Sequence, residues 1–251
     1  MTWLIDLDGV VWLAGTAIPG AAAAVERLGD AGEKVVFLTN NSGPTVAQYR
    51  DLLAGAGLPA AGAELVTSAQ AAASMLEPGT RAAVVGGEGI LEALGDRGVE
   101  VVAAADGPEA VVVGRSETLD YGELAAASTA IRAGARFVAT NTDATFPTGN
   151  GVLPGAGAVI AFLATASGRR PEVAGKPHQP AADLLRARYG GVDVVVGDRP
   201  DTDGAFARRV GARFMLVLSG VTSAHDLPVD PAPDEVADDL ATLVRNHFPS
   251  E

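Results

Sequence analysis

The sequence predicts an α/β fold, in which helices cover a parallel β-sheet and a second domain is inserted into the chain. Short apolar runs typical of buried strands alternate with segments whose apolar residues recur at helical spacing. Repeated strand–helix–strand order favours parallel strands joined by right-handed crossovers. Breaks at Pro78-Gly79 and at residues 168–171 bracket roughly ninety residues, which is an ordinary size for a domain.

Two strands and three helices are predicted before the first break. They are a strand at 2–5, a helix at 20–31, a strand at 34–38 and helices at 45–56 and 69–76. The first helix lies between Pro19 and Gly32, since proline favours the first turn of a helix and glycine follows its end. The strand at 34–38 is almost continuously apolar, as expected for a parallel strand buried on both faces.

The alternation continues through the insertion and the rest of the chain. In the insertion we predict strands at 81–85, 100–103, 110–113 and 136–139 and helices at 89–97, 120–133 and 157–167. After it we predict a helix at 180–189, a strand at 193–196, a helix at 203–210, a strand at 213–218 and a final helix at about 234–246. The main domain is therefore expected at 1–77 and 171–251, and the inserted domain at 78–170.

The composition limits the partners of the protein. The chain has 31 acidic residues against 18 lysines and arginines, a formal net charge of −13. Such a surface repels nucleic acids and anionic lipids, so neither nucleic acid nor membrane is expected as a partner. The absence of cysteine excludes disulfides, thiolate zinc sites and cysteine nucleophiles. Together with the lack of a signal-peptide pattern, it favours a cytoplasmic location.

The first candidate site is Asp6-Leu7-Asp8-Gly9, which directly follows the apolar run at 3–5. Two carboxylates this close raise each other's cost of ionisation, and a divalent metal is the usual partner that holds them together. Asp6 is the candidate nucleophile toward phosphorus, and Asp8 is the candidate general acid and base. Gly9 allows the chain to turn so that both carboxylates face one pocket.

Thr39-Asn40-Asn41 follows the second predicted strand and forms a second candidate cluster. Ligands of open α/β sheets bind at the carboxyl ends of the strands, where this cluster and the Asp6 pair meet. Its hydroxyl and N–H groups lie just before a predicted helix and suit a phosphate.

Lys176, Asp198 and Asp203 complete the candidate site from far along the chain. Lys176, in Gly-Lys-Pro, would neutralise Asp6 and a phosphate oxygen together. Asp198 follows the apolar run at 194–196 and can bind Mg²⁺ with Asp6 and the backbone carbonyl of Asp8. Asp203 would support this arrangement by hydrogen-bonding a metal-bound water or Lys176.

Each pattern alone also has an ordinary structural interpretation. Asp-x-Asp-Gly occurs in plain turns and in calcium loops, although the further oxygen ligands of a calcium loop are missing. The segment after Thr39 fits simple helix capping by Ser42 or Thr45. A lone lysine is usually a solvated surface group. The convergence of four clusters on one sheet edge is what favours a site for phosphoryl transfer.

Taken together, these motifs resemble the haloacid dehalogenase-like (HAD) phosphohydrolase superfamily, and more specifically its subfamily IIA, the NagD-like and 4-nitrophenylphosphatase-like branch. The resemblance is carried by IDLDGVVW, FLTNNS, ATNTDATFP, LPGAGAVIAFLATASGRRPEVAGKP, VVGDRPDTD and LVLSGV, which span nearly the whole chain. It implies a Rossmann-like doubly wound core with an inserted α/β cap of the C2 type. It also implies a magnesium-dependent phosphatase that forms an aspartyl-phosphate at Asp6.

The resemblance also implies roles for individual residues. Asp8 would be the acid and base, Thr39 and Lys176 would bind phosphate, Asp6, Asp8 and Asp198 would bind metal, and Asn40, Asn41, Asn141 and Asp143 would border the substrate. Members of the branch are often dimers through the cap, which makes a homodimer a further expectation.

Two departures from the branch leave the substrate open. Pro200 and Gly204 stand where larger aliphatic residues are usual, so the loop around Asp203 is expected to differ. In the cap, residues 114–117 (Gly-Arg-Ser-Glu) stand where relatives often carry a hydrophobic residue and an aspartate. The substrate preference of the branch therefore does not transfer.

The sequence thus predicts a phosphatase of small phosphorylated metabolites, such as nucleoside monophosphates, sugar or glycerol phosphates and pyridoxal phosphate. Two alternatives belong to other classes. A receiver-like signalling module uses similar residues, but it has about half this length and lacks a large insertion. A catalytically silent relative would bind a ligand without turning it over. The two breaks further predict hinges that let the cap open for substrate and close for chemistry.

Overall fold

The computed structural model describes residues 1–58, 64–148 and 151–249. The strands are β1 Thr2–Ile5, β2 Trp12–Leu13, β3 Thr16–Ala17, β4 Lys34–Thr39, β5 Glu64–Thr67, β6 Arg81–Val85, β7 Glu100–Val101, β8 Ala110–Val113, β9 Arg136–Ala139, β10 Thr145–Thr148, β11 Gly151–Pro154, β12 Glu172–Val173, β13 Val194–Gly197, β14 Arg213–Val217 and β15 Glu235–Ala237. The helices are α1 Ala21–Asp30, α2 Val46–Gly55, α3 Ser68–Ser74, α4 Glu88–Arg97, α5 Tyr121–Ala133, α6 Ala156–Ser167, α7 Gln179–Tyr189, α8 Ala205–Val210 and α9 Leu240–His247.

The main sheet has the strand order β15-β14-β13-β1-β4-β5, and all neighbouring pairs are parallel. From β1 the chain builds outward through β4 and β5, and later it returns to β13 on the other side of β1. The direction of winding therefore reverses between β1 and β13, which is the topological switch point of a doubly wound sheet. The predicted Rossmann-like core is confirmed.

Strand β1 shows why this sheet forms from uninterrupted apolar runs. Trp3 and Ile5 pack with residues of α1, α2 and α9, whereas Leu4 packs on the opposite face with residues of α3, α7 and α8. Successive side chains of a strand point to opposite faces, so a strand covered on both sides has to be apolar throughout.

A second sheet has the order β12-β9-β8-β6-β7 and is also parallel. Helices α5 and α6 cover one of its faces through residues such as Ile131 and Leu163. The hairpin β10–β11 follows β9. The strands of this sheet fall within the segment predicted as an inserted cap, except Glu172–Val173, which lies just past the expected limit at residue 170, and the limits of the two domains stay a prediction. The expected domains also include residues 59–63, 149–150 and 250–251, which lie outside the described residues.

The two sheets share one apolar cluster. Leu38 and Val66 of the main sheet belong to the same buried cluster as Val112 and Val138 of the second sheet, with α3 and α4 packed between them. A cap that opened widely would expose part of this cluster, and the predicted hinge motion stays a prediction.

Some local predictions were wrong. The segment predicted as one helix from about 234 to 246 forms β15 first and only then α9, because Val236 pairs with Leu216 at the edge of the sheet. Strand β5 and the hairpin β10–β11 were not predicted. The helix predicted at 203–210 starts as a π-helical turn over Pro200–Gly204. Among the described residues, no helix combines the length and the apolar character needed to span a membrane.

Candidate active site

The candidate residues meet at the carboxyl edge of the main sheet, next to the switch point. Asp6 directly follows β1, Thr39 ends β4 and Asp198 directly follows β13. The register pairs Ile5 with both Val196 and Phe37, so these three strands finish side by side. A single cleft at this edge is lined by every predicted catalytic, substrate-binding and metal-binding residue: Asp6, Asp8, Thr39, Asn40, Asn41, Asn141, Asp143, Lys176 and Asp198, and also by Gly9.

Lys176 is the centre of the charge arrangement. Its Nζ lies 2.7 Å from Asp6 Oδ1 and 2.6 Å from Asp203 Oδ1, and it donates to the carbonyl of Leu38 at 3.2 Å. The lysine is only 4% exposed. Burial by itself lowers the pKa of Lys176, but Asp203 and Asp6 outweigh burial and hold the pKa above its usual value. The ammonium group is therefore charged and fixed between two carboxylates.

Asp6 and Asp8 differ in their partners. Burial raises the pKa of Asp6 well above its usual value, against the opposing effect of Lys176. Burial also raises the pKa of Asp8, whose Oδ1 accepts a hydrogen bond from the Trp12 indole Nε1 at 3.1 Å. A raised pKa favours the protonated form of a carboxyl group, which is the form that a general acid needs. The turn between β1 and β2 thus presents two carboxyl groups to the cleft. Asp6 forms an ion pair with Lys176, and Asp8 does not.

Asp198 is held by backbone groups from the loop after β14. Its Oδ2 accepts from the Val221 N–H at 2.6 Å. Its Oδ1 is buried without a hydrogen-bond partner, and burial raises the pKa of Asp198 to about 7. A buried carboxylate oxygen without a donor is costly unless a cation or proton reaches it. This oxygen therefore fits a metal ligand.

The carboxylates of Asp6, Asp198 and Asp203 each offer an oxygen within 4.8 Å of the others. Such a set of oxygen donors suits Mg²⁺, which needs few protein carboxylates because it retains several waters. The expected metal ligands were Asp6, Asp8 and Asp198, with Asp8 acting through its backbone carbonyl. The structure brings Asp203 close as well, although its Oδ2 accepts from the Arg199 N–H at 3.1 Å and its Oδ1 contacts Lys176.

The loop after β4 is fixed by its own polar groups. The Thr39 hydroxyl accepts from the Asn41 N–H at 3.0 Å, and Asn41 Oδ1 accepts from the Gly43 N–H at 3.1 Å. The hydroxyl of the buried Tyr49 donates to the Asn41 carbonyl at 2.8 Å. Asn41 therefore orders this loop, and the proximity of Thr39 to Asp6 across β1 and β4 fits phosphate binding.

The cap side of the cleft meets this loop directly. Asn141 Nδ2 donates to the Asn40 carbonyl at 2.7 Å, and Asn40 Nδ2 lies 3.2 Å from Asp143 Oδ2. Asn40 Nδ2 also donates to the Lys176 carbonyl at 3.1 Å. Asn141 and Asp143 therefore connect the cap to the core at the site.

Several residues of the site were not predicted as functional. They are Trp12, Arg115, Phe146, Arg199 and Val221. Arg115 was noted only as a departure from the branch. The loop at 219–222 could have been predicted to lie near the site. It follows the last predicted strand, at 213–218, and therefore lies at the same edge of the sheet as Asp6.

Comparison with known proteins agrees with this geometry. Residues 3–100 match the family model of haloacid dehalogenase-like hydrolases, and residues 173–243 match a HAD-hydrolase-like model. The chain is 40% identical over 250 residues to the D-glycerol 3-phosphate phosphatase of Mycobacterium tuberculosis. The aligned region covers 96% of this chain and 70% of that relative.

Two solved structures extend the match to three dimensions. The glycerol phosphate phosphatase of M. tuberculosis in complex with magnesium has a TM-score of 0.90 and 38% identity, over 97% of this chain and 77% of that one. NagD from E. coli K-12 has a TM-score of 0.85 and 31% identity, over 96% of both chains.

The fold, the site and these matches define a hydrolase of the HAD-like class. More particularly, the chain belongs to the haloacid dehalogenase-like hydrolase family, in its NagD-like branch. The predicted family, fold class and enzyme class, a phosphoric monoester hydrolase, are confirmed.

Proposed function

We propose that this protein is a magnesium-dependent phosphatase that hydrolyses small phosphomonoesters through an aspartyl-phosphate on Asp6. The observation that best supports this proposal is the position of Lys176 in the cleft. Its Nζ lies 2.7 Å from Asp6 Oδ1 and 2.6 Å from Asp203 Oδ1. A fully buried ammonium group between two carboxylates can compensate the charge of a nucleophile and an incoming phosphate at once.

Magnesium fits the donors that the chain provides. Asp198 Oδ1 is buried and unpaired, and an oxygen of Asp6 lies within 4.8 Å of it. We assign the ion to Asp6, Asp198 and the Asp8 carbonyl, and the relative from M. tuberculosis has itself been solved in complex with magnesium. When bound, Mg²⁺ would neutralise the carboxylates and the phosphate oxygens, so that one anion can approach another.

In the first half of the reaction, a carboxylate oxygen of Asp6 forms a bond to phosphorus. The bond between phosphorus and the ester oxygen breaks, and the leaving oxygen takes a proton from the Asp8 carboxyl group. The raised pKa of Asp8, caused by its burial, favours the protonated form that this step requires. Lys176 and the polar groups around Thr39 hold the phosphate oxygens during transfer.

In the second half, the Asp8 carboxylate takes a proton from a water molecule that attacks the phosphorus of the aspartyl-phosphate. The bond between phosphorus and the Asp6 oxygen breaks, inorganic phosphate leaves, and both aspartates return to their starting states. The hydrogen bond from Trp12 Nε1 orients Asp8 for both proton transfers.

The substrates that we propose are small and soluble. Glycerol phosphates are supported by the named activity of the M. tuberculosis relative, and sugar phosphates, nucleoside monophosphates and pyridoxal phosphate fit the same chemistry. The cap residues that line the cleft, among them Arg115 and Phe146, are the ones in a position to choose between these leaving groups.

The test is turnover of 4-nitrophenyl phosphate with Mg²⁺ by the wild type and by Asp6→Asn. Asp6→Asn is expected to lower kcat by about four orders of magnitude or more, because a neutral amide cannot attack phosphorus. Asp183→Asn serves as the matched control, since Asp183 lies on the exposed face of α7, where it pairs with Arg186. Its activity should equal that of the wild type.

A second measurement separates this proposal from its alternatives. With 4-nitrophenyl phosphate, whose leaving group needs little protonation, Asp8→Asn should accumulate a hydroxylamine-sensitive acyl phosphate on Asp6, because the base of the second half of the reaction is lost. Mass spectrometry detects this intermediate. Activity retained by Asp6→Asn would exclude the nucleophile. A wild type that binds phosphate esters without turnover would indicate a silent relative, and a long-lived phosphoprotein would indicate a signalling module.

A further inference from the structure

Arg115 is a cap residue whose position in the cleft has no role in the chemistry described above. It precedes α5 in the loop after β8, and its side chain is only 14% exposed. Its guanidinium carbon Cζ lies over the ring of Phe146, 4.1 Å from the ring centroid. This cation–π contact holds the guanidinium group against the ring at the edge of the cleft.

Arg115 borders the space around Asp8 on two sides. It lines the cleft that holds Asp6 and Lys176, and it also lines a neighbouring groove that runs from Asp8 to Trp12 and Leu52. If Asp8 donates its proton to the leaving oxygen, the leaving group has to lie next to Asp8. Arg115 therefore faces the leaving group, whereas the phosphate lies deeper, at Lys176.

Arg115 has more unused binding capacity than the other cations at the cleft. Among the described residues that line it, Lys176 is fixed between two carboxylates, and Arg199 forms two hydrogen bonds with Asp201, at 3.4 and 3.2 Å. Arg115 has one 3.3 Å contact with Glu117, whose side chain is 81% exposed. Because Glu117 is mostly in solvent and makes a single contact, Arg115 can exchange it for a ligand.

We propose that Arg115 is a specificity-determining residue that binds a carboxylate on the leaving group of the substrate. A planar guanidinium matches the two oxygens of a carboxylate, whereas a hydroxyl group uses only one donor. The inference rests on the proposed phosphatase function and narrows its substrates to phosphomonoesters that carry a second, carboxylic acid group. Glu117 would release Arg115 when such a substrate enters.

The test compares two substrates that differ only at the group facing Arg115. Glycerol 3-phosphate and 3-phosphoglycerate share their skeleton and phosphate position, but the first ends in CH₂OH and the second in a carboxylate. The wild type should prefer 3-phosphoglycerate in kcat/KM by about tenfold or more. Arg115→Met, which keeps a long side chain over Phe146, should bring this ratio close to one, chiefly through KM. Arg115→Lys should give an intermediate ratio, because it keeps the charge without the planar fork.

Arg132→Met is the matched control, since it makes the same charge change on an exposed position of cap helix α5. It should leave the substrate ratio of the wild type unchanged. A purely structural role for Arg115 would lower the activity on both substrates equally and leave their ratio intact, which overturns the inference.

The outcomes also separate this inference from the function on which it rests. If no phosphate ester, including 4-nitrophenyl phosphate, is hydrolysed, the phosphatase proposal fails and this inference fails with it. A different outcome overturns only the role of Arg115. In that outcome 4-nitrophenyl phosphate is hydrolysed, but 3-phosphoglycerate has neither a higher kcat/KM as a substrate nor a higher affinity as a competitive inhibitor than glycerol 3-phosphate.

Discussion

At the scale of single residues, the site depends on glycines, which have no side chain, as much as on the polar side chains that line it. Gly9 has φ of +86°, and a Cβ there would overlap the carboxylate of Asp198. Gly220 meets the same carboxylate from the loop after β14. Asp198 is thus enclosed by two glycines and a backbone N–H. The glycine of the Asp-x-Asp-Gly motif therefore makes room for the metal-ligand candidate as well as allowing the turn.

This arrangement predicts that Gly9→Ala is much more harmful than an ordinary glycine substitution. Gly15→Ala is the matched control, because Gly15 has φ of +82° but nothing within 4 Å of its Cβ position. Gly15→Ala should lower the free energy of unfolding by about 1 kcal/mol from backbone strain alone, with normal kcat/KM. Gly9→Ala should cause the same backbone strain and should also displace Asp198, because the added Cβ overlaps its carboxylate. We therefore expect it to lower kcat/KM at saturating Mg²⁺ by about a hundredfold or more. Equal effects of the two variants, measured by urea denaturation and steady-state kinetics, would contradict this account.

At the scale of elements, the sequence predicted those strands and site residues that local pattern determines. The apolar runs of β1, β4, β8 and β13 identify buried strands, and carboxylates that follow β1 and β13 have to share one edge of the sheet. Strand β15 was missed because its acidic surroundings fit a helix, and only pairing with β14 makes it a strand. The roles of Arg115 and Val221 depend on contacts with Phe146 and Asp198, which are far away in the chain, so no local spacing encodes them. Trp12 contacts Asp8 only four residues away, but the residue pattern did not identify this hydrogen bond.

The contact between the loop after β4 and the cap leads to a prediction at this scale. Asn141 is 3% exposed, donates to the Asn40 carbonyl at 2.7 Å and accepts from the Asp143 N–H at 3.0 Å. Asn141→Ala leaves buried backbone groups with fewer partners, which should cost about 1–3 kcal/mol of unfolding free energy. Because the cap is then less well aligned with the phosphate loop, KM should rise severalfold while kcat changes less.

Asn246→Ala, at an exposed position of α9, is the control for this change and should affect neither stability nor KM measurably. A fall in kcat with unchanged KM in Asn141→Ala would instead indicate that Asn141 takes part in the chemical step.

At the scale of the whole molecule, an acidic protein brings three cationic side chains to the cleft that is to hold an anionic substrate, beside the carboxylates of Asp6, Asp8, Asp143 and Asp198. The net charge is −13, yet Lys176, Arg115 and Arg199 all line the cleft. Because the two sheets share one apolar cluster, we expect any closure of the cap for catalysis to be a small motion. The cytoplasmic location and the cap-mediated homodimer stay predictions, and size-exclusion chromatography with light scattering measures the latter.

The carboxylates of this cleft couple the stability of the whole protein to Mg²⁺ and pH. Burial raises the pKa of Asp198 from 3.8 to about 7, so without metal the folded protein keeps a proton that the unfolded chain releases. The stability of the metal-free protein should therefore fall as pH rises through this range, whereas Mg²⁺ binds the ionised form and should raise Tm more at about pH 7.5 than at about pH 5.5. At a hundredfold excess over Kd, the gain at the higher pH should be about 5–10 °C by differential scanning fluorimetry. Asp198→Asn should lose this gain and Asp183→Asn should keep it, whereas equal gains at both pH values would show that protons do not compete with the ion for this site.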